Sequence, residues 1–134
     1  MIGFDTNILI RYITKDDHEQ AQKAVKAIKS LTPSKKGFVC LAVIVECIWV
    51  LDSVYGQDRK TISEAVLKLT RSAKLVVQNS DEIETALSRC LSSEGAPWDL
   101  ADAIISEVGQ SFGCEATLTF DKKAAKLEGM RLFL

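Results

Sequence analysis

The sequence has little histidine and no closely spaced cysteine pair, which excludes the common zinc sites. Its 134 residues include one histidine, His18, and four cysteines without a Cys-x-x-Cys spacing. It also lacks any apolar run of the roughly 18–20 residues that span a bilayer. No basic segment followed by an apolar one opens the chain, as a secretory signal would. We therefore expect neither membrane insertion nor secretion.

A large excess of charge of either sign is absent as well. The formal net charge of -1 excludes a protein that holds nucleic acid mainly through a large positive field. A nucleic-acid enzyme is compatible with this charge, because a few local cations can bind phosphates while acids perform the chemistry. Three of the four cysteines lie in apolar sequence, where a free thiol behaves as a small hydrophobic side chain. These features predict a reduced, cytoplasmic protein.

The order of apolar segments predicts a single α/β domain over residues 1–134. A composition that is 47% hydrophobic and 26% charged is typical of a globular protein. Short apolar strands alternate with amphipathic helices, which favours a three-layer α/β/α fold with a mainly parallel central sheet. The predicted strands are 2–4, 38–40, 75–77, 116–120 and 130–133, and the predicted helices are 8–13, 18–30, 41–51, 61–71, 80–93, 100–112 and 122–127.

Two acids directly follow predicted strands. Asp5 follows the first strand and Asp121 follows the fourth. In parallel sheets the working site gathers beyond the carboxyl ends of the strands, so both are expected at the same rim. Each also has a purely structural interpretation, since Asp is a favoured N-cap where a strand turns into a helix. Neither acid decides the function by itself.

A third acid stands alone in apolar sequence. Glu46 is the only charged residue between Leu41 and Leu51, and a segment that is apolar on nearly all sides is expected to be buried. An unpaired buried carboxylate costs several kcal/mol, so Glu46 needs a partner. That partner is either a Lys or Arg from elsewhere in the chain or a metal ion. Trp49 in the same segment is expected in the core.

Asp99 and Asp102 are spaced so that both carboxylates lie on one face near the start of a helix. The helix dipole favours negative charge there. An N-cap at Asp99 with an acidic third residue, a variant of the capping box, is the structural interpretation. It accounts for Asp99 better than for Asp102, which lies among residues that must pack. We expect Asp102 to perform chemistry and Asp99 to assist it.

The acids matter most as a set. Two carboxylates 4 Å apart repel by about 4 kcal/mol at an effective dielectric near 20, so several together need a cation or raised pKa values. Oxygen ligands without Cys or a usable His favour Mg²⁺ or Mn²⁺. Such ions, held by carboxylates with positions open to water, suit phosphodiester hydrolysis.

These residues resemble the PIN-domain family, and most of all its VapC-type toxin ribonucleases of toxin–antitoxin systems. The resemblance covers essentially the whole chain and rests on the ordered set Asp5-Thr6-Asn7, Glu46, Asp99-Leu100-Ala101-Asp102-Ala103 and Thr119-Phe120-Asp121. It implies a Mg²⁺- or Mn²⁺-dependent endoribonuclease that forms a homodimer and is neutralised by a small antitoxin. It also implies roles for particular residues: Asp5, Glu46, Asp102 and Asp121 as the four metal-binding acids, Asp99 as an additional acid, Thr6 and Asn7 as groups that orient the first acid, and Thr119 as a hydroxyl beside the last.

Two other functions compete with an RNA-cleaving toxin. A phosphohydrolase of the haloacid-dehalogenase type also has an Asp after its first strand, but it carries a second acid two residues later, where this chain has Asn7. A non-catalytic RNA-binding module is disfavoured by the near-neutral charge and by the absence of an aromatic and basic platform. Arg11, four residues after Asn7, is expected either to contact a phosphate or a partner's acid or to be an ordinary solvated side chain.

Overall fold

The alternation of short strands and helices is present along the whole chain, and every strand pair is parallel. The computed structural model describes residues 1–134, which divide into two units, Met1–Gln78 and Asn79–Leu134. None of the helices combines the length and the apolar character needed to cross a membrane.

The first unit contains a three-stranded parallel sheet with strand order β1-β2-β3. Gly3 is paired with Phe38, and Phe38 with Val76. Leu9, Val39, Ile44, Leu51 and Val66 are fully buried and form the core. The elements in chain order are β1 (Ile2–Gly3), α1 (Thr6–Thr14), α2 (His18–Lys29), β2 (Gly37–Val39), α3 (Leu41–Ser53), α4 (Arg59–Thr70) and β3 (Leu75–Val77).

The second unit contains a two-stranded parallel sheet and a pair of helices that pack on each other. Its core includes Ile83, Leu87, Ala103 and Ile104, which are about fully buried. The elements in chain order are α5 (Ser80–Ser92), α6 (Leu100–Ser111), β4 (Thr117–Thr119), a short 3₁₀ turn (Ala124–Lys126) and β5 (Met130–Leu132).

Aspartates define where several helices begin. The side chains of Asp5, Asp17, Asp58 and Asp99 each accept a backbone hydrogen bond from the first turn of the helix that follows. This satisfies amide groups that have no partner within the helix. Because Asp5 performs this role, α1 begins at Thr6, two residues before the start that its apolar spacing predicts.

The approach of Phe4 to β2 depends on a glycine. Phe4 follows β1, its ring is buried, and its backbone N–H donates to the carbonyl of Phe38 at 2.9 Å. A Cβ on Gly37 would overlap the Phe4 ring and lie 3.0 Å from Cδ2 of Leu75. Gly37 therefore lets the ring lie against β2, and the ring fixes the backbone just before Asp5.

Several expectations need correction in their detail. The predicted helix 122–127 is only a 3₁₀ turn, and the predicted strand 116–120 is limited to its three central residues. No cysteine forms a disulfide; Cys47 and Cys90 are buried, Cys40 is half-buried and Cys114 is exposed. The parallel strands and their alternation with helices agree with the predicted class, and the single domain over 1–134 stays a prediction.

Candidate active site

Asp5 is the N-cap of α1 and still has an oxygen to offer. Its Oδ1 accepts from the backbone N–H of Thr6 at 2.7 Å, so the capping interpretation is correct as far as it goes. Its Oδ2 accepts no hydrogen bond, and the side chain is exposed to solvent. Thr6, the next residue, is buried. The cap thus orients the carboxylate and leaves one oxygen available for a ligand.

Glu46 is exposed, so the prediction that it is buried is wrong. Helix α3 is apolar on nearly all sides, but only the face of Ile44, Cys47, Ile48 and Leu51 is covered. Glu46 lies on the uncovered side and takes part in no salt bridge. Its carboxylate therefore does not require a partner on grounds of burial. The prediction that Trp49 lies in the core is also wrong, since 63% of its surface is exposed.

Asp5 and Glu46 line the same cavity. Its volume is about 320 Å³, and its wall also includes Thr6, Asn7 and Arg11. Both carboxylates act on the thiol of Cys47: burial and, to a lesser extent, the negative charges of Glu46 and Asp5 together raise the pKa of that thiol to about 12. The first unit therefore brings together two of the predicted acids and the two polar residues that follow the first.

Arg11 is the one cation of this cavity wall, and it pairs with neither carboxylate of the cavity. Its Nη1 donates to Oδ1 of Asp16 at 2.9 Å and to the hydroxyl of Tyr55 at 3.0 Å. Its Nε donates to Oε1 of Gln20 at 2.8 Å. The alternative of an ordinary solvated side chain therefore does not describe Arg11, which is held by three acceptors.

Asp99 and Asp102 form a reciprocal capping box at the start of α6. Oδ1 of Asp99 accepts from the amide of Asp102 at 2.8 Å, and Oδ2 of Asp102 accepts from the amide of Asp99 at 3.1 Å. The structural interpretation thus accounts for Asp102 as well as for Asp99, which the sequence did not suggest. Each of the two carboxylates keeps one oxygen outside the box.

Asp102 lies in the negative field of two other acids. Partial burial raises its pKa, and the charges of Asp99 and Asp121 raise it as well, while the hydrogen bond from the Asp99 amide opposes them. Asp102 is half-buried, whereas Asp99 and Asp121 are exposed. In the second unit, therefore, the negative charges of Asp99 and Asp121 both act on Asp102.

Asp121 caps the turn after β4. Its Oδ1 accepts from the amides of Lys123 at 2.8 Å and Ala124 at 3.2 Å. Its own amide donates to Oγ1 of Thr119 at 3.0 Å, so the hydroxyl of Thr119 does lie beside this acid. The carboxylate is fixed through one oxygen, in the same way as that of Asp5.

The donor set in each unit suits a hard divalent cation. All the candidate ligands are carboxylate oxygens, and each group retains oxygens that accept no hydrogen bond. Within neither unit do three or more His, Cys, Asp or Glu side chains converge as a ready metal cluster. Mg²⁺ is commonly held by one or two carboxylates and keeps several waters, so two acids in one cavity fit Mg²⁺ or Mn²⁺.

A comparison with protein families identifies the chain. A family model described as PIN domain matches residues 2–130. The chain belongs to the PIN domain family. This membership confirms the predicted PIN-like α/β fold class, and the PIN family is a family of nucleases.

A comparison with solved structures finds a bacterial toxin. The toxin VapC20 of Mycobacterium tuberculosis, described as cleaving the sarcin–ricin loop, is 18% identical to this PIN domain. The likeness covers 94% of each chain with a TM-score of 0.46. A comparison with curated proteins finds no match.

The PIN domain also contains site residues that the sequence did not reveal. Tyr55 and Gln20 both hold Arg11, and Tyr55 lines the cavity with it. Tyr55 is separated from Arg11 by 44 positions, so no local spacing relates the two. Trp98, which directly precedes Asp99, is only 6% exposed and packs in the interior.

Proposed function

We propose that this PIN domain is a Mg²⁺- or Mn²⁺-dependent endoribonuclease and the toxin of a type II toxin–antitoxin pair. The cavity lined by Asp5 and Glu46 carries the proposal, because it holds two carboxylates of the family pattern and leaves them without a cation partner. The negative charges of Asp99 and Asp121 that act on Asp102 support it from the second unit. The family match over nearly the whole chain supplies the reaction class.

In this proposal Asp5, Glu46, Asp102 and Asp121 are metal ligands, and Asp99 is an auxiliary acid. When bound, the ion supplies a lowered pKa for a coordinated water and neutralises charge on the phosphodiester. The chain contributes orientation. The amide of Thr6 holds one oxygen of Asp5, and the amides of Lys123 and Ala124 hold one oxygen of Asp121. The remaining oxygens then have fixed directions at no further entropic cost.

The raised pKa of Asp102 has a place in the same scheme. Like charges that raise a carboxyl pKa in the free protein favour a divalent cation, because the cation removes the repulsion between them. Partial burial and the neighbouring negative charges make ionised Asp102 less favourable without a cation. We therefore expect protonation of Asp102 to compete with metal binding.

The proposal includes partners. The substrate is RNA, the inhibitor is a small antitoxin protein, and the functional form is a homodimer in the cytoplasm. One competing function is retained, a non-catalytic RNA-binding module, because Asp5, Asp99, Asp102 and Asp121 all have capping roles that would keep them in a protein without activity. A haloacid-dehalogenase-type phosphohydrolase is disfavoured by the family match.

Metal dependence and RNA cleavage test the proposal together. Mg²⁺ or Mn²⁺ should raise the melting temperature, because a ligand of the native state stabilises it. Sequencing of RNA ends after brief expression should reveal new, discrete ends, and these should disappear for Asp5→Asn combined with Asp102→Asn. Cleavage by the purified protein that survives complete metal removal would contradict the proposal, as would full activity of the double variant.

A matched pair of substitutions on α3 isolates the contribution of Glu46. Glu46→Gln should reduce the metal-induced rise in melting temperature and lower cleavage by at least about tenfold, which corresponds to about 1.4 kcal/mol. Asp52→Asn removes an equal charge from an exposed position on the same helix outside the cavity. It should leave both measurements near those of the wild type. Equal effects of the two substitutions would show that Glu46 acts only through its negative charge and is not a specific metal ligand.

A further inference from the structure

The guanidinium of Arg11 has a fixed orientation. Its acceptors come from three places in the first unit: Asp16 between α1 and α2, Gln20 in α2, and Tyr55 after α3. The carboxylate of Asp16 is itself held by further donors, since Oδ1 also accepts from Thr14 and from the amide of Asp17, and Oδ2 accepts from Tyr55. An arginine held in this way loses little further freedom when it binds a ligand.

One terminal nitrogen of the Arg11 guanidinium has no hydrogen-bond acceptor. A guanidinium has five N–H donors, of which Nε carries one and each terminal nitrogen carries two. Nε and both hydrogens of Nη1 are engaged by the three acceptors, whereas Nη2 donates no hydrogen bond. Two charge-assisted donors therefore remain on a side chain that is 29% exposed.

Arg11 faces the same cavity as the proposed metal ligands. It lies one helical turn after Asn7 on α1, and residues with this spacing share a face. Arg11, Asn7, Asp5 and Glu46 all line the cavity. The pairing with Asp16 also keeps the cation away from Asp5 and Glu46, which it would otherwise neutralise.

We propose that Arg11 binds a phosphate of the RNA strand in this cavity, through Nη2, and that Asp16, Gln20 and Tyr55 position it for that contact. This inference rests on the proposed ribonuclease function. It adds an RNA-binding residue to the four proposed metal ligands. A phosphate is the expected ligand, because guanidinium donors match phosphate oxygens and a polyanion entering an acidic cavity needs a cation to counter repulsion.

RNA affinity and its salt dependence test the inference. A short, fluorescein-labelled single-stranded RNA of mixed sequence is titrated by anisotropy, with Ca²⁺ in place of Mg²⁺, and its integrity is checked on a gel. Arg11→Met keeps the aliphatic stem and removes the donors. It should weaken binding by roughly tenfold and lower the slope of log K against log salt by about 0.7, the value for one phosphate contact on a single strand.

Two further variants distinguish a phosphate contact of Arg11 from a purely structural role of its hydrogen bonds. Arg11→Lys keeps the charge and loses the planar fork, so the salt slope should persist while affinity falls several-fold. Arg131→Met removes an arginine from a surface ion pair with Glu115 in the second unit and serves as the matched control, with unchanged affinity and slope. Melting temperatures with and without Mg²⁺ are measured for every variant, and the metal-induced rise should be unchanged in Arg11→Met.

Each outcome decides between the proposals. If the wild type binds RNA and responds to metal but Arg11→Met binds equally well with the same slope, the inference about Arg11 is wrong and the proposed function stands. The hydrogen bonds that hold Arg11 would then serve the fold or a carboxylate of a protein partner. If Arg131→Met loses as much affinity as Arg11→Met, the effect is one of general charge and the inference is overturned. If the wild type itself neither binds RNA nor responds to metal, both proposals fail.

Discussion

The hydroxyl of Tyr55 donates a 2.5 Å hydrogen bond to Oδ2 of Asp16, 39 positions earlier in the chain. This bond ties the segment after α3 to the loop between α1 and α2. It is also the largest of the causes that lower the pKa of Asp16 to about 2, ahead of the contributions from Thr14 and Arg11 that act in the same direction. The orientation of Arg11 thus depends on a phenol that lies far away in sequence.

Removal of that phenol should be visible in the titration of Asp16. The unfolded pKa of Asp is about 3.9, so a folded value near 2 means that ionised Asp16 stabilises the native state above about pH 4. This stabilisation is lost as the pH falls through the folded pKa. In Tyr55→Phe the pKa of Asp16 should rise, as measured by carbon NMR of the carboxyl group. The melting temperature should fall at neutral pH, and the difference from the wild type should shrink between about pH 4 and pH 2.

Tyr12→Phe is the matched control, because Tyr12 is the other tyrosine and makes no hydrogen bond with Asp16. It should leave the pKa of Asp16 unchanged. An unaltered Asp16 titration in Tyr55→Phe would show that the hydroxyl does not set it.

Substitution of Asp102 should separate stability from metal binding. Its raised pKa means that the ionised carboxylate is less favourable in the folded chain than in the unfolded one. Asp102→Asn removes that charge, while its side-chain oxygen can still accept from the Asp99 amide. We expect a metal-free melting temperature equal to or above that of the wild type, together with loss of the Mg²⁺-induced rise. The measurement is a thermal melt with and without Mg²⁺.

Asp81→Asn provides the comparison for Asp102→Asn. Asp81 is an exposed acid in the first turn of α5, where the helix dipole favours its charge. This variant should melt slightly below the wild type and keep its response to metal. A metal-free Asp102→Asn that melts well below the wild type would contradict the charge repulsion described for that site.

Asp99 has a capping role and a proposed auxiliary role, which two substitutions distinguish. Asp99→Ala removes the acceptor for the Asp102 amide and should destabilise the chain by about 0.5–2 kcal/mol, the usual cost of a lost N-cap. Asp99→Asn retains an acceptor and should be nearly as stable as the wild type. If the charge assists metal binding, Asp99→Asn should still weaken the Mg²⁺ response, measured by titration of the melting temperature. A full metal response in Asp99→Asn would limit Asp99 to the cap.

Gly37 should tolerate no side chain. A Cβ there would overlap the ring of Phe4, and moving that ring would displace the backbone just before Asp5. Overpacking of this kind costs about 1–3 kcal/mol, so Gly37→Ala should lower the free energy of unfolding by this amount in a urea titration. Gly3→Ala in the adjacent strand is the control, since its Cβ would meet only the Phe38 carbonyl oxygen at 3.9 Å. Equal losses in the two variants would show that the overlap with the Phe4 ring is not what makes Gly37→Ala destabilising.

Local periodicity and capping chemistry predicted much of the fold. The spacing of Asp99 and Asp102 identified the start of α6 to the residue, because a capping box depends on positions three apart. The order of short apolar runs predicted the parallel strands. The start of α1 was missed because Asp5 was considered as a cap without moving the helix boundary to Thr6.

The errors at the site have a different origin. The burial of Glu46 and Trp49 was inferred from the apolar composition of α3, but composition does not determine which face of a helix receives neighbours. The clamp of Arg11 by Tyr55 depends on a contact across 44 positions, which no single sequence encodes as a spacing. The charge environment of Asp102 likewise requires the return of the chain at Asp121.

Because of the capping box of α6, the presence of its two acids is weak evidence for nuclease activity. The carboxylates of Asp99 and Asp102 each accept a hydrogen bond from the other residue's amide. A homologue that had lost hydrolytic activity would therefore still retain both acids, because they stabilise the start of the helix. Their retention in a relative would not certify an active nuclease. Glu46 has no capping role in its helix, so it would be substituted first in an inactive homologue. Its presence is therefore the better indicator of nuclease activity.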